Sequence, residues 1–234
     1  MAAPSRVVAI LQARTGSTRF PRKVLAGLCG EPMLAVIIER LRPATLVDEL
    51  VVATTTEAED DPVVALAEQM GVASFRGSRD DCLDRYYRAA KSFEATVVAR
   101  LTADNPVVDG GFVDTLVQAF FAADPPCHYL APGPGFPVGM SCEILSFDAL
   151  EAAWREDADP ASREHVTQFV RRRADRFSVA VAPAERDDSQ IRWTVDHPED
   201  LERVRALFAD LGTLTFDWRR ALSFATEPGP VRGG

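Results

Sequence analysis

Between residues 7 and 121 the chain alternates short apolar runs with longer segments of helical spacing, and few folds accommodate that order. The runs at 7–11, 50–54, 72–75 and 96–101 read as strands, and the segments at 32–41, 61–70, 80–93 and 112–121 read as helices. Met33, Ile37 and Leu41 recur at the interval of one helix face. Pro62 and Gly71 stand just inside the start and just past the end of the second helix, where each residue suits the backbone. Strands alternating with helices build βαβ units, hence a parallel sheet covered on both faces.

The second half changes character. Residues 124–140 are rich in Pro and Gly. Beyond them the pattern predicts strands at 142–147, 177–182 and 191–195. It predicts helices at 147–154 and at 162–173, the latter capped by Ser162, and a last helix running through Phe208. We find no internal repeat and no linker. The expected organisation is one α/β domain over 1–226 with a mixed, mostly parallel Rossmann-like sheet. An inserted lobe occupies about 125–188, and a Pro- and Gly-rich tail at 227–234 is expected to be disordered.

Composition narrows the partners. A net charge of −9 argues against general binding to nucleic acid or to an anionic membrane, since both leave a basic footprint. No apolar run is long enough to span a bilayer, and the first residues lack a signal peptide's apolar core, so a cytoplasmic location is expected. Cys29, Cys82, Cys127 and Cys142 form no C-x-x-C pair and read as small buried thiols of a reducing compartment.

Against that acidic background one loop is basic. Residues 12–23 follow the first strand and carry Arg14, Arg19, Arg22 and Lys23 with no acid. A glycine-containing loop at a strand end, loaded with guanidinium and ammonium groups, suits a polyphosphate, although a solvated basic loop has the same letters. The spacing after Gly16 is not that of a Walker A loop. In open parallel sheets ligands bind at the carboxyl ends of the strands. That rule gathers the basic loop, then Thr102, Asp104 and Asp109 after the fourth strand, then Asp196 after the run at 191–195. Two carboxylates from distant segments could hold Mg²⁺, which keeps waters and takes substrate phosphates as further ligands. The plainer alternatives are a turn at Asp104 and a helix cap at Asp196.

Five segments together resemble the SpsF-like cytidylyltransferase family, which is related to the CMP-Kdo and CMP-sialate synthetases. Residues 12–23 resemble its Q-A-R-x-G-S-T-R-x-P-x-K signature, and residues 75–87 its R-G-S-x-D-D-V-L-D-R-Y-Y segment. Residues 100–106 resemble R-x-T-x-D-x-P, residues 163–167 match R-E-H-V-T, and residues 192–201 resemble R-x-T-V-D-x-P-E-D-L. The order is the family's and covers nearly the whole chain. The resemblance implies the nucleotidyltransferase (GT-A-like) fold and transfer of CMP from CTP to a small anionic acceptor, with loss of pyrophosphate. Arg14, Lys23, Asp104 and Asp196 would be catalytic, the two aspartates holding Mg²⁺. Leu11, Ala13, Arg14, Gly16, Ser17, Arg19, Lys23, Arg76, Gly77, Ser78 and Thr102 would bind the nucleotide. Arg100, Glu143, Arg163, His165 and Arg192 would face the acceptor. A homodimer formed through the lobe is also implied.

One block departs from the family pattern. Where relatives read P-D-G-x-D-x-E, this chain has Val138 and Ser141 in place of both aspartates and keeps Glu143. Fewer carboxylates make a pocket less repulsive to an anion and poorer at gripping hydroxyls, which hints at a phosphonate such as phosphonoformate rather than an ordinary sugar acid. Two rivals remain: a glycosyltransferase using Asp157-Ala158-Asp159 as its metal motif, and a nucleotide-binding protein without turnover.

Overall fold

The computed structural model describes residues 5–226, so the expected disordered tail at 227–234 lies outside the described residues. The first half follows the expected alternation. Strand β1 (Val7–Gln12) leads through a short hairpin, β2 (Gly27–Leu28) and β3 (Glu31–Pro32), into helix α1 (Met33–Leu41). Then come β4 (Glu49–Thr55), α2 (Asp61–Gln69), β5 (Ala73–Gly77), α3 (Cys82–Ser92), β6 (Val97–Thr102) and α4 (Gly110–Ala122). The second half gives β7 (Tyr129–Pro132), β8 (Glu143–Ser146), α5 (Phe147–Glu156), α6 (Pro160–Glu164) and α7 (Gln168–Arg172). It closes with β9 (Val179–Ala182), α8 (Pro198–Leu211) and α9 (Trp218–Thr226).

The larger sheet has seven strands in the order β5-β4-β1-β6-β8-β7-β9. Only β8 runs against the rest, antiparallel to both β6 and β7. The period of two in β1 divides the core between the two faces of the sheet. Val7, Ala9 and Leu11 pack with α1, α4 and α8, while Val8 and Ile10 pack with α3 and α5. Each fully buried Val, Leu or Ile contributes about 1.5–3 kcal/mol, so this central strand holds both layers together. Gln12 stands opposite Ala53 and Thr102, which brings the carboxyl ends of β1, β4 and β6 to one edge. Because β8 is reversed, its first residue, Glu143, lies opposite Arg100 of β6.

Within residues 125–188, β7, β8 and β9 extend the sheet, and Trp154 of α5 stacks on Tyr87 of α3 with ring centroids 4.1 Å apart. Several expectations need correction. The helix expected at 162–173 is two short helices. Val166 between them takes the left-handed conformation (φ 59°), which a β-branched residue disfavours and which stops a helix. Asp159, not Ser162, caps the first of them. The run at 191–195 is not a sheet strand. It makes a single bridge, Arg192 opposite Val138, and threads between two loops. Val138 N–H donates to Ile191 O (2.8 Å) and Trp193 N–H to Val138 O (2.7 Å), while Val195 N–H donates to Asp104 O (2.8 Å). Gly139 permits this approach, since its φ is 108° and a Cβ there would lie 2.6 Å from Thr194 N. The β2–β3 hairpin, β7 and α9 were not foreseen. Cys29 is exposed, unlike the other three thiols. Among the described residues no helix is long and apolar enough to cross a membrane.

Candidate active site

The basic loop is held in shape by residues other than its cations. Thr15 O accepts from Ser17 N (2.8 Å) and Arg22 N (2.9 Å), closing the loop on itself. Thr15 is in turn anchored from outside: Asp60 Oδ1 accepts from its N–H (2.7 Å) and its hydroxyl (2.8 Å), and Asp60 Oδ2 accepts from Thr55. Burial pushes the Asp60 carboxyl up, but the hydrogen bonds from Thr55 and Thr15 outweigh it and hold the group below its ordinary value. Sequence reasoning missed Asp60. Its position after β4, a third strand opening on the same edge, was the available signal.

That loop and the end of β6 bound a cleft of about 420 Å³ lined by Gln12, Arg14, Gly16, Ser17, Thr18, Arg19, Lys23, Thr102 and Asp104 among others. Lys23 is the hinge of its charge. Its ammonium lies 3.3 Å from Asp104 Oδ2 and 3.5 Å from Asp196 Oδ1, and it donates to Val195 O at 2.7 Å. Arg19 donates to Asp196 Oδ1 (2.8 Å) and Arg192 to Asp196 Oδ2 (2.9 Å). Thr102 donates its hydroxyl proton to Asp104 Oδ1 (2.7 Å) and accepts from Asn105 Nδ2 (2.8 Å). The two carboxylates therefore do converge. Asp196 is not the cap of α8. His197 holds that position, and Asp200 accepts from the backbone N–H groups of Asp196 (2.9 Å) and His197 (2.8 Å).

A second cleft of about 300 Å³ adjoins the first. It is lined by Arg79, Asp80, Cys82, Arg85, Arg100 and the exposed His165, and it shares Gln12, Arg14, Thr102 and Glu164 with its neighbour. Beneath it Glu143 is buried. It pairs with Arg100 and accepts from Tyr129 OH and from Thr167 Oγ1 (3.0 Å). Burial raises the Glu143 carboxyl, yet the Arg100 guanidinium with these hydroxyls holds it below the usual carboxylate range. Glu143 thus spends its hydrogen-bonding capacity inside the protein.

Other expected site residues are placed elsewhere. Arg163 donates to Asp81 (2.9 Å) and to the carbonyls of Trp154 (3.0 Å) and Asp157 (2.7 Å), tying α6 to α3 and α5. Arg76 is occupied by Thr55 O (2.9 Å), Asp61 (2.7 Å) and Glu57 O (2.8 Å). Gly77 is buried against Arg85, and Ser78 accepts from Asp81 N (3.0 Å) and Arg85 at the end of β5. Arg192 spans Asp196 and Asp200 rather than lining either cleft. Leu11 and Ala13 are buried and bring only backbone to this edge. Asp109 leaves the site altogether: it caps α4 through Phe112 N (2.8 Å) and accepts from Trp218 N (2.7 Å). The Asp157-Ala158-Asp159 triplet sits between α5 and α6, where Asp159 caps α6 through Ala161 N, so those letters serve a helix boundary.

This edge gathers a cation-rich cleft with two bridged carboxylates and a second, arginine-lined cleft beside it, an arrangement for moving a phosphorylated group from one compartment to the other. Comparison with known proteins agrees. Residues 8–220 match the family model described as Cytidylyltransferase. The chain is 33% identical to the spore coat polysaccharide biosynthesis protein SpsF of Bacillus subtilis over 88% of each protein. It is 38% identical to a 3-deoxy-manno-octulosonate cytidylyltransferase of Anaeromyxobacter over 87% of this chain and 97% of that one. It superposes on a cytidylyltransferase from Leptospira borgpetersenii with a TM-score of 0.91 at 31% identity, covering 94% of both chains. With the signature segments now seen to meet at one sheet edge, the chain belongs to the cytidylyltransferase family and is a CTP-dependent nucleotidyltransferase.

Proposed function

We propose that the protein is an Mg²⁺-dependent enzyme that transfers CMP to a small anionic acceptor, either a sugar acid or a compact phosphonate such as phosphonoformate. The observation that carries this reading is Lys23 bridging Asp104 and Asp196 in a cleft that opens onto a second, arginine-lined one. Arg14, Arg19 and Lys23, with Ser17 and the loop backbone, would take the triphosphate. The strand ends near Leu11, Ala13 and Gly77 to Ser78 would frame the base. Asp104 and Asp196 fit a hard divalent cation, being partly exposed and drawn together on one ammonium. When bound, the ion would neutralise charge on the phosphate oxygens.

The acceptor oxygen would attack the α-phosphorus in line as pyrophosphate departs. Positioning and electrostatics supply most of such a barrier's reduction. An ionised phosphonate needs no base. For a sugar hydroxyl, the exposed His165 in the second cleft would take the proton. The sugar-acid reading is supported by the likeness to a 3-deoxy-manno-octulosonate cytidylyltransferase. The phosphonate reading is supported by the sequence departure at Val138 and Ser141, neither of which lines the two clefts. A homodimer through residues 125–188 belongs to the same proposal, supported by edge strand β9, which leaves Val179 and Val181 exposed.

Pyrophosphate release tests it. The protein is incubated with Mg²⁺, one nucleoside triphosphate at a time, and panels of sugar acids and phosphonates. Release that requires CTP, the metal and one acceptor class is expected. Release that persists without any divalent metal, or none across both panels, would overturn the proposal.

A further inference from the structure

The two clefts meet at four shared residues, Gln12, Arg14, Thr102 and Glu164. A phosphorus atom passed between them must sit at that junction, with its equatorial oxygens carrying spread negative charge. Gln12 is fixed first by its place in the sheet. It ends β1, paired in register with Ala53 on one side and Thr102 on the other, and its own carbonyl accepts from Ala103 N at 2.9 Å.

Its side chain is fixed as well. Gln12 Oε1 accepts from the Cys82 thiol at 3.0 Å, and Cys82 Sγ accepts from Arg85 Nη2 at 3.3 Å. Arg85 is buried and is itself held by the Ser78 carbonyl. Burial pushes the Cys82 thiol up, so it keeps the proton it donates. With Oε1 engaged, the amide N–H₂ group is the free end, and among the described residues no protein group accepts from it. A neutral donor locked at the mouth of both clefts costs no reorganisation when charge develops beside it.

We infer that Gln12 is a catalytic residue whose side-chain amide donates to a non-bridging oxygen of the α-phosphoryl group in transfer, and that Cys82 and Arg85 are positioning residues that set its orientation. The inference rests on the nucleotide and acceptor assignments proposed above for the two clefts. In the step itself the acceptor oxygen forms its bond to α-phosphorus while the bond to the bridging oxygen breaks. Pyrophosphate leaves with that electron pair, and Gln12 neither gains nor loses a proton.

The test begins without an acceptor, so that the acceptor's identity does not enter. Phosphorus NMR of CTP bound to wild type, Gln12→Ala and Gln12→Glu should show the α resonance displaced in both variants and the β and γ resonances unmoved. Gln12→Glu keeps the size, removes both donors and serves should the alanine variant fail to fold. The same α resonance should shift, by less, in Cys82→Ala. In turnover with whichever acceptor the screen yields, Gln12→Ala should lower kcat by about 10²-fold, the usual cost of one such donor, with CTP affinity nearly unchanged. Unmoved α resonances in both Gln12 variants, or a loss of CTP affinity equal to the loss of kcat/KM, would overturn the inference. Absence of turnover in wild type alongside the shifted α resonance would instead count against the acceptor reading and leave Gln12 in contact with the phosphate.

Discussion

The two clefts are built on opposite plans. The first takes its cations from one contiguous loop: Arg14, Arg19 and Lys23 all line it, Arg19 and Lys23 meeting carboxylates proposed to serve the same substrate, while Thr15 and Asp60 hold the backbone. The second is assembled from the end of β1, the loop after β5, α3, β6 and α6, and several charges expected to face it are consumed as struts. Glu143 neutralises Arg100 from below, and Arg163 ties three helices together. Where a charge is paired in the interior, its chief effect is on stability. Where it reaches solvent-filled space beside backbone held by others, it is available to a substrate.

The sharpest way to break this contrast is at Glu143. Replacing it with Gln leaves the largely buried Arg100, 16% exposed at the floor of the cleft, without a counter-charge, and up to about 3 kcal/mol of stability should be lost, read by urea denaturation. The pH dependence fixes the cause. A carboxyl whose folded pKa is depressed adds stability above its unfolded value near 4.3 and loses it as pH falls through the folded pKa. Glu143→Gln should therefore lose most stability at neutral pH and show a flatter acid limb. An unchanged acid limb would return Glu143 to the role of a substrate ligand.

Lys23→Ala should come next, lowering kcat/KM for CTP by about 10²–10³-fold and, because the ammonium also holds Val195 O, Asp104 and Asp196, costing about 1–3 kcal/mol of stability. A large stability loss with modest kinetics would make Lys23 a strut like Arg163. Asp60→Ala removes the acceptor of the Thr15 and Thr55 hydrogen bonds and should cost about 1–3 kcal/mol. It should also raise KM for CTP more than it lowers kcat, and Asp60→Asn should restore part of both. Arg163→Ala should give the smallest catalytic effect, a stability loss with KM for the acceptor held within about twofold, as expected for lost interior hydrogen bonds. A rise in that KM without destabilisation would move Arg163 into the second cleft.

Much of the fold was legible because its signals are local. The continuous apolar run of Val7 to Leu11 and the Pro62 and Gly71 boundary residues announce a buried strand and a bounded helix from a few neighbours alone. The convergence of Asp104 and Asp196 was expected from the rule that loops at strand carboxyl ends share one edge, which holds for Asp104 after β6, whereas Asp196 is brought there by the bond of Val195 N–H to Asp104 O and not by a sheet strand. The mistakes lie where neighbours along the chain are not neighbours in space. Residues 191–195 have a strand's composition, yet their partners are the Gly139 loop and the Asp104 carbonyl rather than a sheet strand. The helix read at 162–173 is interrupted because Val166 adopts a left-handed turn, with Thr167 beside it bonded to Glu143.

By itself the sequence determined the layering of helices on a mostly parallel sheet, the loop that bears the cations and the pair of distant carboxylates. The layering and the basic loop follow from periodicity and charge within short windows, and the carboxylate pair from the family resemblance of its two segments. The tertiary structure alone decided which charges are spent on one another and which are left to a ligand. A guanidinium reads the same in sequence whether it meets Asp81 or open water, and only the packed neighbours of Arg163, Asp60 and Gln12 settle the difference.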